Sequence, residues 1–137
     1  MSHDAGLTPF LREDHGVFEN LAKTILQTVV EGDREDVSEA VSALEASILT
    51  HLEGEERELI PRYARDNPNE AAALLKDHAA IRKALTELDV SCDLHLVRAD
   101  ALRLLLDALL AHAARENSGI YRWAEANPEA LKAQSHP

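Results

Sequence analysis

The H-x-x-x-E motifs that begin at His51 and His112, together with His15 and His78, are the residues of this sequence best suited to chemistry. Residues four apart in a helix lie one turn apart on the same face, so each motif presents an imidazole beside a carboxylate. Imidazole combined with carboxylate suits iron, manganese or zinc. The pattern therefore predicts a metal site. The predicted ligands are His15, His51, Glu55, His78, His112 and Glu116.

The elements that must position these ligands are predicted to be helices, because alanine and leucine dominate and aromatic residues make up only 4% of the chain. Pro9 and Pro68 mark first turns, Gly32 ends the first helix, and Pro61 bends or ends the second, which divides the sequence into four helices within one domain, residues 1–137. Short connections imply antiparallel neighbours, so the expected fold is an all-α, antiparallel four-helix bundle. The predicted helices cover about 9–31, 34–60, 68–88 and 93–126, followed by a tail over 127–137.

Each predicted helix carries an apolar stripe with steps of three or four residues, the spacing of a buried bundle face. The candidate ligands interrupt these stripes, as His78 does between Leu74 and Ile81. An uncompensated buried polar group costs roughly 2–7 kcal/mol, and a lone carboxylate costs far more. Six such groups would exceed the roughly 5–15 kcal/mol stability of a domain. A pair of cations is therefore expected to compensate them.

The two halves of the chain resemble each other. The segments LREDH, HLEGE and YARDNP match LLKDH, HAARE and WAEANP at offsets of 63, 61 and 60 residues. A repeat of two helices implies a pseudo-twofold bundle in which each ligand has a counterpart. Each ion would receive two imidazoles, while each glutamate bridges to the other ion. About four protein donors leave open positions on iron but fill tetrahedral zinc, so this count leaves zinc open.

Charge and hydropathy argue against several classes of function. The formal net charge of −11 leaves no basic patch for nucleic acid and no polybasic membrane anchor. No apolar run is long enough to span a bilayer, and no secretory signal is visible. The single cysteine, Cys92, rules out an internal disulfide and fits a reducing compartment. These features predict a cytoplasmic protein without membrane or nucleic-acid partners.

The order of the ligands, H, H-x-x-x-E, H, H-x-x-x-E, resembles that of the hemerythrin-like, or HHE cation-binding, proteins over about residues 11–128. The resemblance implies an up-down-up-down bundle. It also implies a non-haem di-iron centre bridged by two carboxylates and often by an oxo or hydroxo group. Carried over by position, the ligands of one iron would be His15 and His51, those of the other His78 and His112, and the bridges Glu55 and Glu116.

Two departures argue against reversible oxygen transport. Oxygen-carrying members of the family have a fifth histidine four residues before the third-helix ligand, where this chain has Leu74. Their last carboxylate is an aspartate five residues after its histidine, whereas here Glu116 follows His112 at four. The chain is more similar to the broader bacterial group, whose members handle oxygen, peroxide, nitric oxide or iron.

Several neighbours of the ligands are weaker candidates. Glu19 follows His15 by four residues and is either an extra metal ligand or a surface charge. Asp14 and Asp77 each precede a ligand histidine and either hold an imidazole nitrogen or face solvent. Core packing is favoured for the aromatic residues beyond the glutamates, with a tyrosine as ligand or radical partner the alternative. These aromatic residues are Tyr63, Tyr121 and Trp123.

Three classes of function are compatible with the pattern. The leading hypothesis is a di-iron protein that binds, senses or reduces a small oxidant, with enzymatic turnover left open because no general acid or base is evident. The second is an iron-sensing or iron-donating module whose stability depends on metal. The third is a zinc-binding or metal-free helical interaction protein. The oxidant, the electron donor and any protein partner are left open.

Overall fold

The structure is a computed structural model, and it describes residues 3–31, 37–93 and 99–129. The described residues are almost entirely helical and include no strand, so the predicted all-α class is confirmed. None of the described helices has the length and apolarity needed to cross a membrane. The helices are α1 (His3–Val30), α2 (Val37–Glu58), α3 (Ile60–Asp66), α4 (Pro68–Asp93), α5 (Ala99–Ser118) and α6 (Ile120–Ala126).

The ends of the helices differ from the predicted bounds by several residues. Helix α1 begins at His3 and runs through Pro9, which was predicted to mark its first turn. A proline removes one backbone hydrogen bond, but it does not end the helix here. Helix α4 extends to Asp93 rather than about 88, and α5 begins at Ala99 rather than about 93. Most of the predicted tail, residues 130–137, lies outside the described part of the chain.

A break follows the H-x-x-x-E motif in each half. Helix α2 ends before Leu59, and α3 starts with Pro61 in its first turn, as the proline predicted. The second break, at Gly119, interrupts what was predicted as one helix. A Cβ atom at Gly119 would lie 3.1 Å from the carbonyl oxygen of Arg115 and 3.4 Å from the hydroxyl of Tyr63. Glycine at position 119 therefore lets Tyr63 of α3 lie close to the segment between α5 and α6.

The long helices form a closed ring of contacts: α1 packs against α2 and α5, and α4 packs against the same two helices. Short helix α3 packs on α2 and α4, while α6 packs on α1 and α5. The predicted stripes of α1, α2 and α4 are buried, apart from the partly buried His15. The predicted stripe of α5 contains Ala101, Leu105 and Ala108. Leu105 is buried as predicted, but the two alanines are only partly buried, and Leu102 and Leu109 are buried as well.

The apolar core consists of two separate clusters. The larger one fills the bundle between the four long helices, and the smaller one lies among α3, α6 and the adjoining ends of α1 and α4. In α4, Leu74 belongs to the smaller cluster and Ile81 to the larger one, with His78 between them. In α1, His15 separates Leu11 from Phe18 in the same way. A polar layer thus crosses the bundle between two apolar regions.

Candidate metal centre

The six predicted ligands meet in this polar layer. Five of them are buried, and two carboxylates, Glu55 and Glu116, have no exposed surface at all. The side chain of His15 is 11% exposed, which makes it the most accessible of the four histidines. Burial of two carboxylates in a helical interior is costly unless cations or hydrogen-bond donors face them.

The ligand atoms form two groups that share the glutamates. In each group the donor atoms all lie within 4.8 Å of one another. We call the groups cluster A and cluster B. Cluster A consists of His15, His51, Glu55 and Glu116. Cluster B consists of His78, His112, Glu55 and Glu116.

Glu55 divides its two oxygens between the clusters. Its Oε2 lies 3.3 Å from Nε2 of His51 in cluster A. Its Oε1 lies 3.1 Å from Nε2 of His78 in cluster B. Because the two oxygens of one carboxylate face different pairs of histidines, Glu55 has the geometry of a bridging ligand.

Glu116 repeats this arrangement from the opposite half of the chain. Its Oε1 lies 3.0 Å from Nε2 of His15, and its Oε2 lies 3.1 Å from Nε2 of His112. Each H-x-x-x-E motif therefore supplies one histidine to a single cluster and one glutamate to both. The i, i+4 spacing produces this result because it places the glutamate one turn further along the same helical face.

Several of these buried atoms have no hydrogen-bond partner among the described residues. Glu55 Oε1, His78 Nε2, His112 Nε2 and Glu116 Oε2 all lie in the shared layer. Such atoms cost about 1–3 kcal/mol each when they are left unsatisfied. Ligand atoms about 2.1 Å from one ion are about 3.0–3.4 Å apart in octahedral or tetrahedral geometry. The four shortest nitrogen–oxygen separations, 3.0–3.3 Å, match that spacing, while Glu116 lies 4.0 Å from His51 and 3.7 Å from His78, so a metal ion in each cluster would require a small adjustment of these side chains.

Two aspartates hold the outer ring nitrogens of histidines across helix boundaries. Nδ1 of His51 donates to Asp14 Oδ2 at 2.9 Å. Nδ1 of His112 donates to Asp77 Oδ2 at 3.0 Å. The predicted role in holding an imidazole is confirmed, but each aspartate holds the histidine of the neighbouring helix. The reason is the turn of about 100° per residue, which directs each aspartate away from the histidine that follows it.

A third such contact was not predicted. Nδ1 of His78 donates to Glu56 Oε2 at 2.8 Å, and Arg82 donates to both oxygens of the same carboxylate at 2.6 and 2.9 Å. The hydrogen bonds from Arg82 lower the pKa of Glu56, so this carboxylate stays ionised. The signal available in the sequence was Arg82 itself, which lies one turn after a ligand histidine and needs an acidic partner.

Tyr121 reaches the polar layer from helix α6. The residue is fully buried, as core packing predicted, but its hydroxyl lies inside cluster A. The hydroxyl donates to Glu55 Oε2 and lies 3.2 Å from Nε2 of His15. Burial, followed by the negative charges of Glu116 and Glu55, raises the pKa of Tyr121, so the phenol keeps its proton. Tyr121 therefore supplies a proton-bearing group beside cluster A.

The other two aromatic candidates pack against each other. The rings of Tyr63 and Trp123 meet edge to face, with their centroids 5.3 Å apart. Tyr63 belongs to the smaller apolar cluster, and Trp123 donates from Nε1 to Asp66 Oδ2 at 3.0 Å. Neither residue belongs to cluster A or cluster B. The preferred prediction of core packing is confirmed for these two aromatic residues.

Glu19 lies beside the site without joining either cluster. Its Oε1 accepts a hydrogen bond from Nζ of Lys23 at 2.7 Å, and its side chain is 36% exposed. The residue lines a small cavity next to His15. A role as an additional metal ligand remains a prediction, and the ion pair with Lys23 favours the alternative of a surface charge.

The protonation of the histidines reflects the acidic layer around them. Burial lowers the pKa of His51, but contact with Glu116 and Glu55 outweighs burial and raises it to about 10. The same balance raises the pKa of His78 to about 9. Burial alone would raise the pKa of Glu116, yet four adjacent histidines lower it well below its usual range. Metal ions and protons therefore compete for the same ring nitrogens.

A small cavity adjoins the layer on its cluster A side. Its interior volume is about 20 Å³, which is room for about one water-sized molecule. The polar part of its wall comes from His15, His51 and His112, with Glu19 at the edge. The apolar part consists of Phe18, Ile48, Leu52, Ile81, Leu109, Leu110 and Ala113. Such a lining favours a small and weakly polar molecule over a large or charged one.

Comparison with known proteins agrees with this geometry. Residues 7–124 match the family model of the hemerythrin HHE cation binding domain. The match covers most of the chain, so the protein belongs to the hemerythrin HHE family and is a cation-binding helical protein. No match was found among curated proteins or among solved structures.

Proposed function

We propose that this protein holds a non-haem di-iron centre and binds, senses or reduces a small oxidant such as oxygen, peroxide or nitric oxide. The observation that carries the proposal is the division of each glutamate between the two clusters, at 3.0–3.3 Å from histidine nitrogens. Two imidazoles and two carboxylate oxygens per ion leave open positions on a six-coordinate metal. Iron suits this mixed donor set, and manganese and zinc are the competing metals.

The packing of the helices supports an antiparallel up-down-up-down bundle with an internal duplication. Asp14 of α1 meets His51 of α2, whereas Ile25, further along α1, lines a cavity with Val37 at the start of α2. Their order along the two helices is therefore opposite. The contact between Asp77 and His112 repeats the one between Asp14 and His51 in the second half. We also propose that residues 1–137 form a single domain and that the protein is cytoplasmic.

The residues around the proposed centre would control access and protons. When bound, a pair of ferrous ions would supply two electrons to a small oxidant. The cavity walls of Phe18, Ile48 and Ile81 keep bulk water away from the histidines. Tyr121 holds a proton at Oη, where it already donates to Glu55 Oε2. This hydroxyl is placed to donate a hydrogen bond to a small oxidant beside cluster A. An external electron donor would complete repeated turnover.

The test begins with the chain purified without chelator and analysed for metal content and visible absorption. We expect two irons per chain with absorption typical of an oxo- or hydroxo-bridged pair, whereas stoichiometric zinc without visible absorption would contradict the proposal. Glu55→Ala and Glu116→Ala should each abolish binding of both ions, because each carboxylate serves both clusters. Glu53→Ala is the matched control, since Glu53 is an exposed glutamate on the same helix as Glu55.

Reactivity separates the functions that the site allows. The iron-loaded protein, reduced without oxygen, is mixed with oxygen, peroxide or nitric oxide, and its spectrum is followed. Oxidation with repeated turnover in the presence of a reductant would indicate an enzyme. A stable adduct or a single oxidation would indicate binding or sensing.

A second candidate is an iron-sensing or zinc-binding module without catalysis. The observation that favours it is the position of the polar layer between the two apolar clusters, where loss of metal would leave buried charges in the middle of the bundle. Metal would then control folding. A large gain in thermal stability on metal binding, together with no reaction towards any of the oxidants, would favour this candidate.

A further inference from the structure

The two clusters are supported unequally by the residues outside them. Three of the four histidines donate from Nδ1 to a carboxylate at 2.8–3.0 Å. The fourth, His15, has a buried Nδ1 atom without a hydrogen-bond partner among the described residues. In the described part of the chain, cluster A thus contains the one ligand histidine that lacks this support.

The internal duplication shows which group is missing at His15. Glu56, which holds His78, lies five residues after His51, and Asn117 lies five residues after His112. Arg12 donates from Nη1 to Asn117 Oδ1 at 2.9 Å, just as Arg82 donates to the Glu56 carboxylate. An arginine thus contacts the corresponding position in each half, although Arg82 follows its histidine by four residues, while Arg12 precedes His15 by three and also pairs with Glu125 at 3.0 Å. At position 117 a neutral amide replaces the carboxylate.

We propose that cluster A is the weaker and more exchangeable of the two metal positions, and that the amide in place of a carboxylate at position 117 is a cause of this difference. The inference rests on the proposed metal binding. A carboxylate at Nδ1 fixes the tautomer and orientation of a ligand histidine and makes it more basic. His15 lacks that partner and has the most exposed side chain of the four histidines.

Tyr121 adds to the same inequality. Its hydroxyl lies 3.2 Å from Nε2 of His15 and donates to Glu55 Oε2, both of which are donor atoms of cluster A. An ion in cluster A would compete with this hydroxyl for the single lone pair of His15 Nε2. No corresponding hydroxyl contacts His78 or His112 among the described residues. Cluster B therefore fills first, and occupancy of cluster A follows the metal concentration.

The exchangeable position also faces the small cavity. Both histidines of cluster A line that cavity, whereas cluster B contributes only His112. A small molecule in the cavity would therefore lie beside the metal position of cluster A, whose His15 has no carboxylate partner at Nδ1 among the described residues. Loss of the cluster A metal would remove this position and leave cluster B occupied.

The first experiment measures the two affinities separately. The full metal-free chain is titrated with Co²⁺ against a chelator of known affinity, and bound metal is counted alongside the visible absorption of cobalt. We expect two steps, the second at least about tenfold weaker than the first. His15→Ala should remove the weak step and keep the tight one, whereas His78→Ala should remove the tight step.

The second experiment restores the missing carboxylate. Asn117→Glu should strengthen the weak step by about tenfold or more, because a carboxylate at this position can accept from Nδ1 of His15, and Arg12, which also pairs with Glu125, already contacts position 117. Asn117→Gln is the matched control, because glutamine has the length of glutamate but no charge, and it should leave both steps unchanged. Glu56→Gln should weaken the tight step only. Circular dichroism confirms that each variant keeps its helices.

The outcomes separate this inference from the proposed function. A chain that binds no metal overturns the proposed function itself. Two steps of equal affinity in the unsubstituted chain overturn the inference while leaving metal binding intact. The inference also fails if Asn117→Glu and Asn117→Gln have the same affinity for the second ion.

Discussion

Asp14 accepts a hydrogen bond from Nδ1 of His51 at 2.9 Å, although its neighbour in sequence is another ligand, His15. The bond joins α1 to α2 and fixes the ring of His51 with Nε2 directed into cluster A. The same relationship recurs between Asp77 and His112. Each aspartate therefore contacts the polar layer through a histidine of a different helix. This arrangement couples helix packing to the geometry of the ligands.

Removing one of these aspartates is expected to weaken metal binding. Asp14→Ala should lower affinity at cluster A by about 10–100-fold, because His51 loses the group that fixes its tautomer and orientation. Asp14→Asn keeps an acceptor at the same place and should cost less. The measurement is a competition titration with a chelator. Glu13→Ala, at the neighbouring exposed position, should leave the affinity unchanged. An equal loss in the Glu13 variant would assign the effect to charge alone.

The hydroxyl of Tyr121 should stabilise the metal-free protein. Tyr121→Phe removes the donor to Glu55 Oε2 and the contact with Glu116 Oε1 at 3.1 Å. Two buried carboxylates then lose a partner, so the free energy of unfolding should fall by about 1–3 kcal/mol. In the metal-loaded protein the loss should be smaller, because the ions compensate the same oxygens. Urea unfolding with and without metal measures both values. Equal losses in the two states would contradict this account.

The residues of the polar layer could be predicted from sequence because each belongs to a helix with a regular apolar stripe. The stripe fixes the face, and the duplication predicts the same face twice. Contacts between helices could not be predicted in this way. The partner of His78, Glu56, depends on how α2 and α4 are rotated against each other, which no single stripe specifies. In α5 the predicted stripe was correct at Leu105 but included Ala101 and Ala108, each one residue before a leucine that is buried, Leu102 and Leu109.

The two breaks in the helices could also be predicted only in part from the sequence. Pro61 predicted the first break because proline removes a backbone donor. The break at Gly119 carried no comparable signal, since glycine is tolerated inside helices at a cost of about 1 kcal/mol. The close contact at Gly119 involves Tyr63 from a distant part of the chain, which periodicity within one helix does not predict. Tyr121, two residues beyond that break, has its hydroxyl inside cluster A, a position that helical periodicity did not favour.

Two glycines should respond in opposite ways to substitution by alanine. Gly54 lies within α2, and a Cβ atom there would meet no atom within 4 Å. Gly54→Ala should therefore raise the free energy of unfolding by about 0.5–1 kcal/mol. At Gly119 the added carbon would crowd the carbonyl oxygen of Arg115 at 3.1 Å, so Gly119→Ala should lower stability. Thermal unfolding of the metal-free chain compares the pair, and a gain in stability at Gly119 would show that the crowding is easily relieved.

The metal-free protein should lose stability as the pH rises from about 7 to about 10. His51 and His78 have pKa values of about 10 and about 9 in the folded chain, against a reference value of 6.5 for histidine. A raised folded pKa stabilises the fold fully below the unfolded value, and this contribution is lost as the pH passes through the folded value. Here the protonated rings neutralise Glu55 and Glu116, so their deprotonation leaves two buried carboxylates without opposite charge.

Urea unfolding in the presence of a chelator, at a series of pH values between 6 and 10, measures this loss. With metal bound the slope should flatten or reverse, because the ions replace the ring protons and bind more tightly as competition from protons decreases. His51→Gln removes one of the raised groups and should reduce the pH dependence of the metal-free chain. The comparison with the metal-loaded chain isolates the buried histidines, because the rest of the chain is the same in both measurements. Constant or rising stability of the metal-free chain across this window would mean that the rings are not the charges that compensate the glutamates.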